Sequence, residues 1–240
     1  MQIVTHKNSE KVYEAVTKEI TEATKSNPHI VLGLATGSTP VGIYARMVKE
    51  HRSGGTDYSN VTTFNLDEYE GLAGNHPSSY RYFMNDHLFN HLNILLKNTH
   101  VPAGTGDLAA ACEEYEKAIE KAGGIDIQLL GIGANGHIGF NEPDTPFDTK
   151  THIAYLAEET IQSNAKFFAD GQSVPSRAVT MGISTIMKAK RIILVALGKS
   201  KAEAVQKTVA GPVTERHPAS VLQRHPHVTL YLDEDAASLL

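Results

Sequence analysis

The segment 125–143, IDIQLLGIGANGHIGFNEP, decides the fold class of this chain. It begins with IDIQLL, a mostly apolar run of the length of one strand, and glycines follow at once. The range 131–136, GIGANG, matches the G-x-G-x-x-G pattern that follows a strand in dinucleotide-binding folds. The segment therefore predicts a buried strand that ends in a glycine-rich loop.

The residues after this loop argue against a dinucleotide. In such a site the third glycine opens a helix that receives the pyrophosphate, and an acidic residue follows roughly 20 residues later. Here Pro143 and Pro146 each lack a backbone donor, which disfavours a helix. The stretch 150–157, KTHIAYLA, contains no carboxylate, and the next one is Glu158. We interpret the match as coincidental, which makes a dinucleotide oxidoreductase the weakest alternative.

The overall composition is that of an ordinary globular protein. The 240 residues are 41% hydrophobic and 20% charged, and the formal net charge is −5. An acidic balance argues against a nucleic-acid partner, and no apolar run reaches the roughly 18 residues that span a membrane. Cys112 is the only cysteine, so neither an internal disulfide nor a Cys-rich zinc site is possible. Without a signal-peptide pattern at the start, we expect a cytoplasmic protein with no membrane partner.

Strand and helix patterns alternate along the chain. Short apolar or β-branched runs predict strands at 29–35, 61–66, 125–133, 191–198 and 227–232. Helical spacing predicts helices at 8–25, 40–52, 107–123 and 200–211. Several strands are apolar throughout, which is typical of a sheet covered on both faces. We predict one α/β domain over residues 1–240, with a mainly parallel sheet and ligands beyond the carboxyl ends of its strands.

Two strand–helix junctions carry residues suited to binding an anion. In LATGSTP, Gly37 lets the backbone approach a ligand, and Ser38 and Thr39 add hydroxyl groups at a helix N-terminus. The same residues also suit an ordinary helix cap. In LGKSKAEAV, Lys199 and Lys201 lie near a helix start, where they oppose the dipole unless an anion binds.

Acid–base residues follow two other predicted strands. In FNLDEYEGL, Asp67 and Glu68 are candidate bases, although the residues alone favour a turn with solvated acids. In the opening segment, His137 lies between Asn135 and Glu142 and is a candidate proton shuttle, or else a histidine merely satisfied within its loop. The spacing of possible ligands there does not match a metal site.

Further histidines lie near the end of the chain. His217, His225 and His227 flank prolines in ERHPASVLQRHPH. We expect them to be surface turn residues rather than metal ligands.

Five motifs taken together resemble the glucosamine-6-phosphate deaminase family: LATGSTP, FNLDEYEGL, HPSSY, GIGANGHIGFNEP and LGKSKA. They occur in the family's order and span nearly the whole chain, and GHIGFNEP after a strand is the most specific of them. The resemblance implies a Rossmann-like fold and the conversion of glucosamine 6-phosphate to fructose 6-phosphate and ammonia. It implies no metal and no organic cofactor.

The resemblance also implies roles for individual residues. Asp67 matches the base that moves a proton between carbon-2 and carbon-1 through an enolamine, and His137 matches the group that opens the pyranose ring. Glu142 matches the acidic partner of that histidine. Four residues match phosphate ligands of the family: Gly37, Ser38, Thr39 and Lys201. Lys166 falls at a position where some members of the family have an arginine.

The chain departs from the longer members of the family in two respects. Asn135 replaces the aspartate that many members carry beside the histidine, so we expect a relay through Glu142, with Asn135 only orienting it. The extended tail and basic residues of the hexameric allosteric members are absent, and Lys150 and His152 are the only possible cations in 145–156. We therefore expect a non-allosteric monomer or small homo-oligomer.

Two further alternatives share the fold. A 6-phosphogluconolactonase would carry a different sequence after Gly-His and lacks FNEP. A sugar-phosphate-sensing domain of a transcriptional regulator usually follows a helix-turn-helix, whereas here we expect the first strand to begin by Gln2.

Overall fold

A seven-stranded parallel sheet forms the centre of the protein in our computed structural model, which describes residues 1–169 and 171–240. Its strand order is β1-β10-β9-β6-β2-β3-β5, and every neighbouring pair is parallel. The strands are β1 (Gln2–His6), β2 (Val31–Leu34), β3 (Thr62–Asn65), β5 (Thr99–His100), β6 (Ile127–Leu130), β9 (Arg191–Ala196) and β10 (Val228–Asp233).

Seven α-helices connect and cover the strands. They are α1 (Ser9–Ser26), α2 (Ser38–Arg52), α3 (Tyr80–His87), α4 (Leu108–Lys121), α5 (Glu158–Asn164), α6 (Ile183–Ile186) and α7 (Ala202–Ala210), as counted in the part of the chain described above. Asp107 caps the start of α4, since its side chain accepts a hydrogen bond from Ala110 N. None of the helices in the described ranges is long and apolar enough to cross a membrane.

The central strands bury side chains on both of their faces. Along β9, Ile192 and Leu194 belong to one hydrophobic core, whereas Ile193 and Val195 belong to the other. A strand that contributes to two cores needs apolar residues at successive positions, which explains the unbroken apolar runs in the sequence. The predicted Rossmann-like α/β fold with a mainly parallel sheet is confirmed.

A second sheet was not predicted from the sequence. It consists of three antiparallel strands in the order β4-β8-β7, with bounds β4 (Asp67–Tyr69), β7 (His152–Tyr155) and β8 (Arg177–Thr180). The segments are only three or four residues long and lie far apart in the chain. Such pairings are chosen by tertiary contacts, so periodicity within each segment does not reveal them.

The expectation for the histidines near the end of the chain is wrong for two of the three. His217 and His225 are 7% and 5% exposed, and their Nε2 atoms lie within hydrogen-bond distance of the carbonyl oxygens of Ala204 and Ala189. Only His227 is exposed. A histidine in a turn can be buried when a neighbouring element offers a backbone acceptor, and the sequence does not show that acceptor.

Candidate active site

A cavity of about 260 Å³ opens at the carboxyl ends of β2, β3 and β6, and the start of α7 closes one side. This is the edge where open parallel sheets bind ligands. Every residue to which the family resemblance assigns a role, except Glu142, lines the cavity. Those residues are Gly37, Ser38, Thr39, Asp67, Asn135, His137, Lys166 and Lys201.

The glycines of 131–136 shape this cavity by admitting two histidine rings. A Cβ atom added at Gly133 would lie 2.3 Å from Cε1 of His137, and one at Gly136 would lie 2.1 Å from Nδ1 of His217. Gly136 also has a φ of +87°, which disfavours other residues. No helix begins anywhere in 131–157, so the dinucleotide interpretation is excluded as the sequence predicts.

His137 is held beside a carboxylate. Its Nδ1 lies 3.4 Å from Glu142 Oε2, and Asn135 Nδ2 donates a hydrogen bond to the same oxygen at 2.8 Å. Asn135 Oδ1 accepts a hydrogen bond from the backbone N of His137 at 3.1 Å. The other oxygen of Glu142 accepts a hydrogen bond from Thr160 Oγ1 at 2.5 Å. Glu142 therefore stands behind His137 and orients the imidazole toward the cavity.

The environment of Glu142 keeps it ionised. Burial works to raise the pKa of this carboxyl, but hydrogen bonds and the charge of His137, followed by hydrogen bonds from Thr160 and Asn135, outweigh it. The net effect lowers the pKa to about 2. An ionised carboxylate at this point orients the imidazole of His137, which suits a group that gives and takes a proton.

Asp67 is buried and lines the cavity, so the expectation of a solvated turn is wrong. It is 5% exposed and begins β4, which pairs with β8. Burial and then the neighbouring charge of Glu68 raise the pKa of Asp67 to about 8, against a hydrogen bond from Thr36 that lowers it. A carboxylate with a raised pKa is a strong base for abstracting a proton from carbon.

The catalytic loop, residues 131–143, approaches Asp67 closely. A Cβ atom added at Gly139, whose φ is +58°, would lie 3.7 Å from Asp67 Oδ2 and 3.0 Å from Thr180 Oγ1. Thr180 Oγ1 in turn accepts a hydrogen bond from Phe140 N at 3.0 Å. Asp67 therefore lies beside the loop that carries His137.

The other end of the cavity is suited to an anion. Gly37 precedes α2 with a φ of +90°, and since it has no side chain, the first-turn N–H groups of α2 are not capped by one. Lys201 and Lys166 add positive charge, and burial followed by the charge of Lys166 lowers the pKa of Lys201. The second lysine of the LGKSKA motif, Lys199, is exposed and does not line the cavity.

Several residues that line or support the site were missed in the sequence. Thr36, Tyr80 and Asn164 line the cavity, and Thr160 both lines it and holds Glu142. Tyr80 ends the HPSSY motif and Thr36 lies within LATGSTP, so the motifs contained a signal for these two. Thr160 and Asn164 belong to α5, which no motif marked.

No group of three or more His, Cys, Asp or Glu side chains is placed to hold a metal ion in 1–169 and 171–240.

An anion site at one end of a cavity, with a buried carboxylate and a histidine–carboxylate pair at the other, defines an enzyme class that moves protons on a phosphorylated substrate. Residues 5–231 match the family model described as glucosamine-6-phosphate isomerases/6-phosphogluconolactonase. The chain belongs to this family, and the resemblance identified from its motifs is confirmed.

Relatives that share about half of their residues with this chain carry one name. The chain is 54% identical to a glucosamine-6-phosphate deaminase of Thermoanaerobacter pseudethanolicus, over 97% of this chain and 90% of the relative. It is 50% identical to one of Clostridium perfringens over 100% of both chains. A solved structure of a monomeric glucosamine-6-phosphate deaminase superimposes with a TM-score of 0.97 at 45% identity, covering 100% of both chains.

Proposed function

We propose that this protein is a glucosamine-6-phosphate deaminase, which converts D-glucosamine 6-phosphate and water to D-fructose 6-phosphate and ammonia. The observation that carries the proposal is that one cavity joins three parts: an anion site, a buried carboxylate and a histidine held by a second carboxylate. This reaction needs all three. The full-length relatives with the same name support it.

In the proposed reaction the phosphate anchors the substrate far from the reacting carbons. The N–H groups and hydroxyls at Gly37, Ser38 and Thr39 would bind it together with Lys166 and Lys201. This anchoring energy keeps the sugar in register for the later steps.

Proton transfer would follow at two places. His137, oriented by Glu142, moves a proton at the ring oxygen and so opens the pyranose. Asp67 then takes a proton from carbon-2 and returns one to carbon-1 through an enolamine. Hydrolysis of the resulting imine at carbon-2 consumes the water and releases ammonia. None of these steps requires an organic cofactor or a metal.

The setting of this activity is also part of the proposal. We infer that residues 1–240 act as one domain, because β1 and β10 pair in the same sheet as the site-forming strands. We infer a cytoplasmic enzyme of amino-sugar catabolism that works as a monomer or small homo-oligomer on a small sugar phosphate. Neither a nucleic acid nor a membrane is an expected partner.

The test is to incubate the protein with glucosamine 6-phosphate and measure ammonia and fructose 6-phosphate together. We expect equal amounts of the two products. We expect Asp67→Asn to lower the rate on the order of 10²- to 10⁴-fold while the variant still binds substrate. Release of acid from a 6-phospho-lactone without deamination would instead indicate a lactonase. Binding without any turnover would indicate a sensing domain.

A further inference from the structure

Glu68, which directly follows the proposed base, has no role in the reaction described above. It is 2% exposed, and its carboxylate accepts three backbone hydrogen bonds. Oε1 accepts from the N–H groups of Tyr69 and Tyr80, both at 2.9 Å, and Oε2 accepts from Arg81 N at 3.0 Å. A buried carboxylate is costly unless such bonds compensate for the lost water.

Two of these bonds cap the start of α3. Tyr80 and Arg81 are the first two residues of the helix, and Ser79 Oγ accepts from Tyr82 N at 3.0 Å. Glu68 and Ser79 together therefore satisfy the N–H groups of the first turn. A negative charge at this end of a helix is also favoured by its dipole.

The first residue of α3 reaches into the active site. Tyr80 lines the cavity, its ring stacks on Phe140 of the catalytic loop, and its hydroxyl donates a hydrogen bond to Tyr69 at 3.2 Å. A shift of the helix start would carry this ring with it. The position of one cavity wall thus depends on the carboxylate of Glu68.

Few cations offset the charge of Glu68. The guanidinium of Arg81 instead donates to Thr99 Oγ1 and Thr99 O, both at 2.8 Å. In the described ranges no side-chain nitrogen of Lys, Arg or His lies within 4.0 Å of the Glu68 carboxylate. The two neighbouring carboxyls therefore share a buried region with little positive charge.

We propose that Glu68 is a positioning residue, whose buried carboxylate ties the strand of Asp67 to the start of α3 and places a second negative charge beside the base. This inference rests on the proposed role of Asp67. Burial and then the charge of Glu68 raise the pKa of Asp67, and the second of these effects is the one expected for like charges that share a buried region. The stronger base is the one better suited to a carbon acid.

Three tyrosines and one arginine interact electrostatically with the pair. Tyr69 on β4, Tyr80 on α3 and Tyr115 on α4 each interact electrostatically with Asp67, and each has a pKa raised primarily by burial. Burial raises the pKa of Glu68 to about 7, against the three backbone hydrogen bonds and the charge of Arg81 on α3, which lower it. The side that faces the catalytic loop presents Gly139. A change of charge at Glu68 is therefore the direct way to alter Asp67.

Two variants separate charge from position. Glu68→Gln keeps the length and removes the charge, and we expect the acid limb of its pH profile for kcat/KM to move down by ~1 pH unit. Its maximal rate should fall roughly 3- to 10-fold because the base is weaker. Glu68→Asp keeps the charge and withdraws it from α3, so we expect a higher KM with an unmoved acid limb. Substrate ionisations are common to all variants and cancel in the comparison.

Glu116→Gln is the matched control. Glu116 also accepts three hydrogen bonds, from Thr151 N, Thr151 Oγ1 and Thr185 Oγ1, but does not line the cavity. Glu116→Gln should leave the acid limb of the pH profile for kcat/KM where it is in the parent. An acid limb for Glu68→Gln that coincides with those of the parent and Glu116→Gln would overturn the proposal.

Two further measurements keep the inference testable if Glu68→Gln does not fold or if the proposed function is wrong. If Glu68→Gln does not fold, ¹³C NMR titration of aspartate side chains in the parent, assigned with Asp67→Asn, replaces it. A pKa of Asp67 within the ordinary aspartate range would then refute the inference. Failure of the parent to release ammonia from glucosamine 6-phosphate would refute the proposed function instead, so the two failures are distinguishable.

Discussion

The side chain of Asn135 donates a hydrogen bond to Glu142 Oε2 at 2.8 Å, and its own oxygen accepts one from the backbone N of His137 at 3.1 Å. An amide makes both bonds without taking up a proton. The geometry therefore supports a relay that runs from His137 to Glu142, with Asn135 as a fixed bracket between them.

We expect Glu142→Gln to lower kcat more than Asn135→Ala does. The first change removes the charge that supports His137 and should cost on the order of 10²-fold. The second removes the two hydrogen bonds of the Asn135 side chain but leaves the charge of Glu142 and its bond from Thr160, so it should cost roughly 10-fold. Steady-state rates for both variants test this order, and an equal or larger loss for Asn135→Ala would contradict it.

Asp67→Asn should make the folded protein more stable while it abolishes activity. The pKa of Asp67 is about 8 when folded and 3.8 as a reference for the unfolded chain, so the folded state binds more protons between these values. Stability therefore falls as pH rises through this window, by up to about 1.4 kcal/mol per pH unit. The asparagine variant escapes this loss. Urea unfolding at about pH 5, 6.5 and 8 should show that the free energy of unfolding of the variant exceeds that of the parent by an amount that grows with pH.

Glu142→Gln should show the opposite sign. The folded-state pKa of Glu142, about 2, is below its ordinary value of 4.5, so its contribution to stability is present above pH 4.5 and lost as pH falls toward 2. We expect the variant to be less stable than the parent above pH 4.5, with the difference shrinking in acid. A pH-independent difference for both variants would show that neither carboxyl titrates as described.

Lys201→Ala should raise KM roughly 10-fold or more and leave kcat less affected. A charge-assisted phosphate contact far from the reacting carbons contributes mostly uniform binding. Lys199→Ala is the matched control, because Lys199 lies two residues earlier and is exposed. Inorganic phosphate should compete with substrate in the parent and in the Lys199 variant, but much less after loss of Lys201. Equal inhibition of the parent and of both lysine variants by phosphate would contradict a role for Lys201 in phosphate binding.

His217→Gln should lower kcat roughly 3- to 10-fold, because the ring of His217 packs on Gly136 and so fixes the loop between Asn135 and His137. His225→Gln is the comparison, since His225 is also buried and within hydrogen-bond distance of a backbone carbonyl but is not the ring that packs against Gly136. Both variants should lose some stability in thermal unfolding. Only the first should lose turnover, and the same kcat in both would speak against a role for His217.

Initial rates should be hyperbolic and unaffected by N-acetylglucosamine 6-phosphate. The cavity of about 290 Å³ beyond the catalytic loop has His152 as its only lining side chain able to carry positive charge, among the described residues, and it also contains Glu142 and Asp144. Burial lowers the pKa of His152, which disfavours its charged form. A Hill coefficient clearly above one that falls with the effector would contradict this prediction.

Local sequence determined most of the main sheet, although not β5, and it determined most of the long helices and the position of the site. Unbroken apolar runs require two covered faces, and parallel strands bring their carboxyl ends to one edge. The loops that follow those strands, with Gly37, Asp67 and His137, therefore had to meet there. Motif order then supplied the family, because GHIGFNEP after a strand is specific.

Tertiary structure alone decided the chemistry of the individual groups. Whether Asp67 and Glu68 were solvated or buried depended on β8 and α3, which pack on them from more than ten residues away in sequence. The same holds for Thr160 on Glu142 and for the buried ring of His217. Burial and hydrogen bonding are set by neighbours distant in the chain, and these neighbours determine the pKa of an acid. The acidic and basic residues of the site could therefore be identified from the sequence, whereas their pKa values depend on the fold.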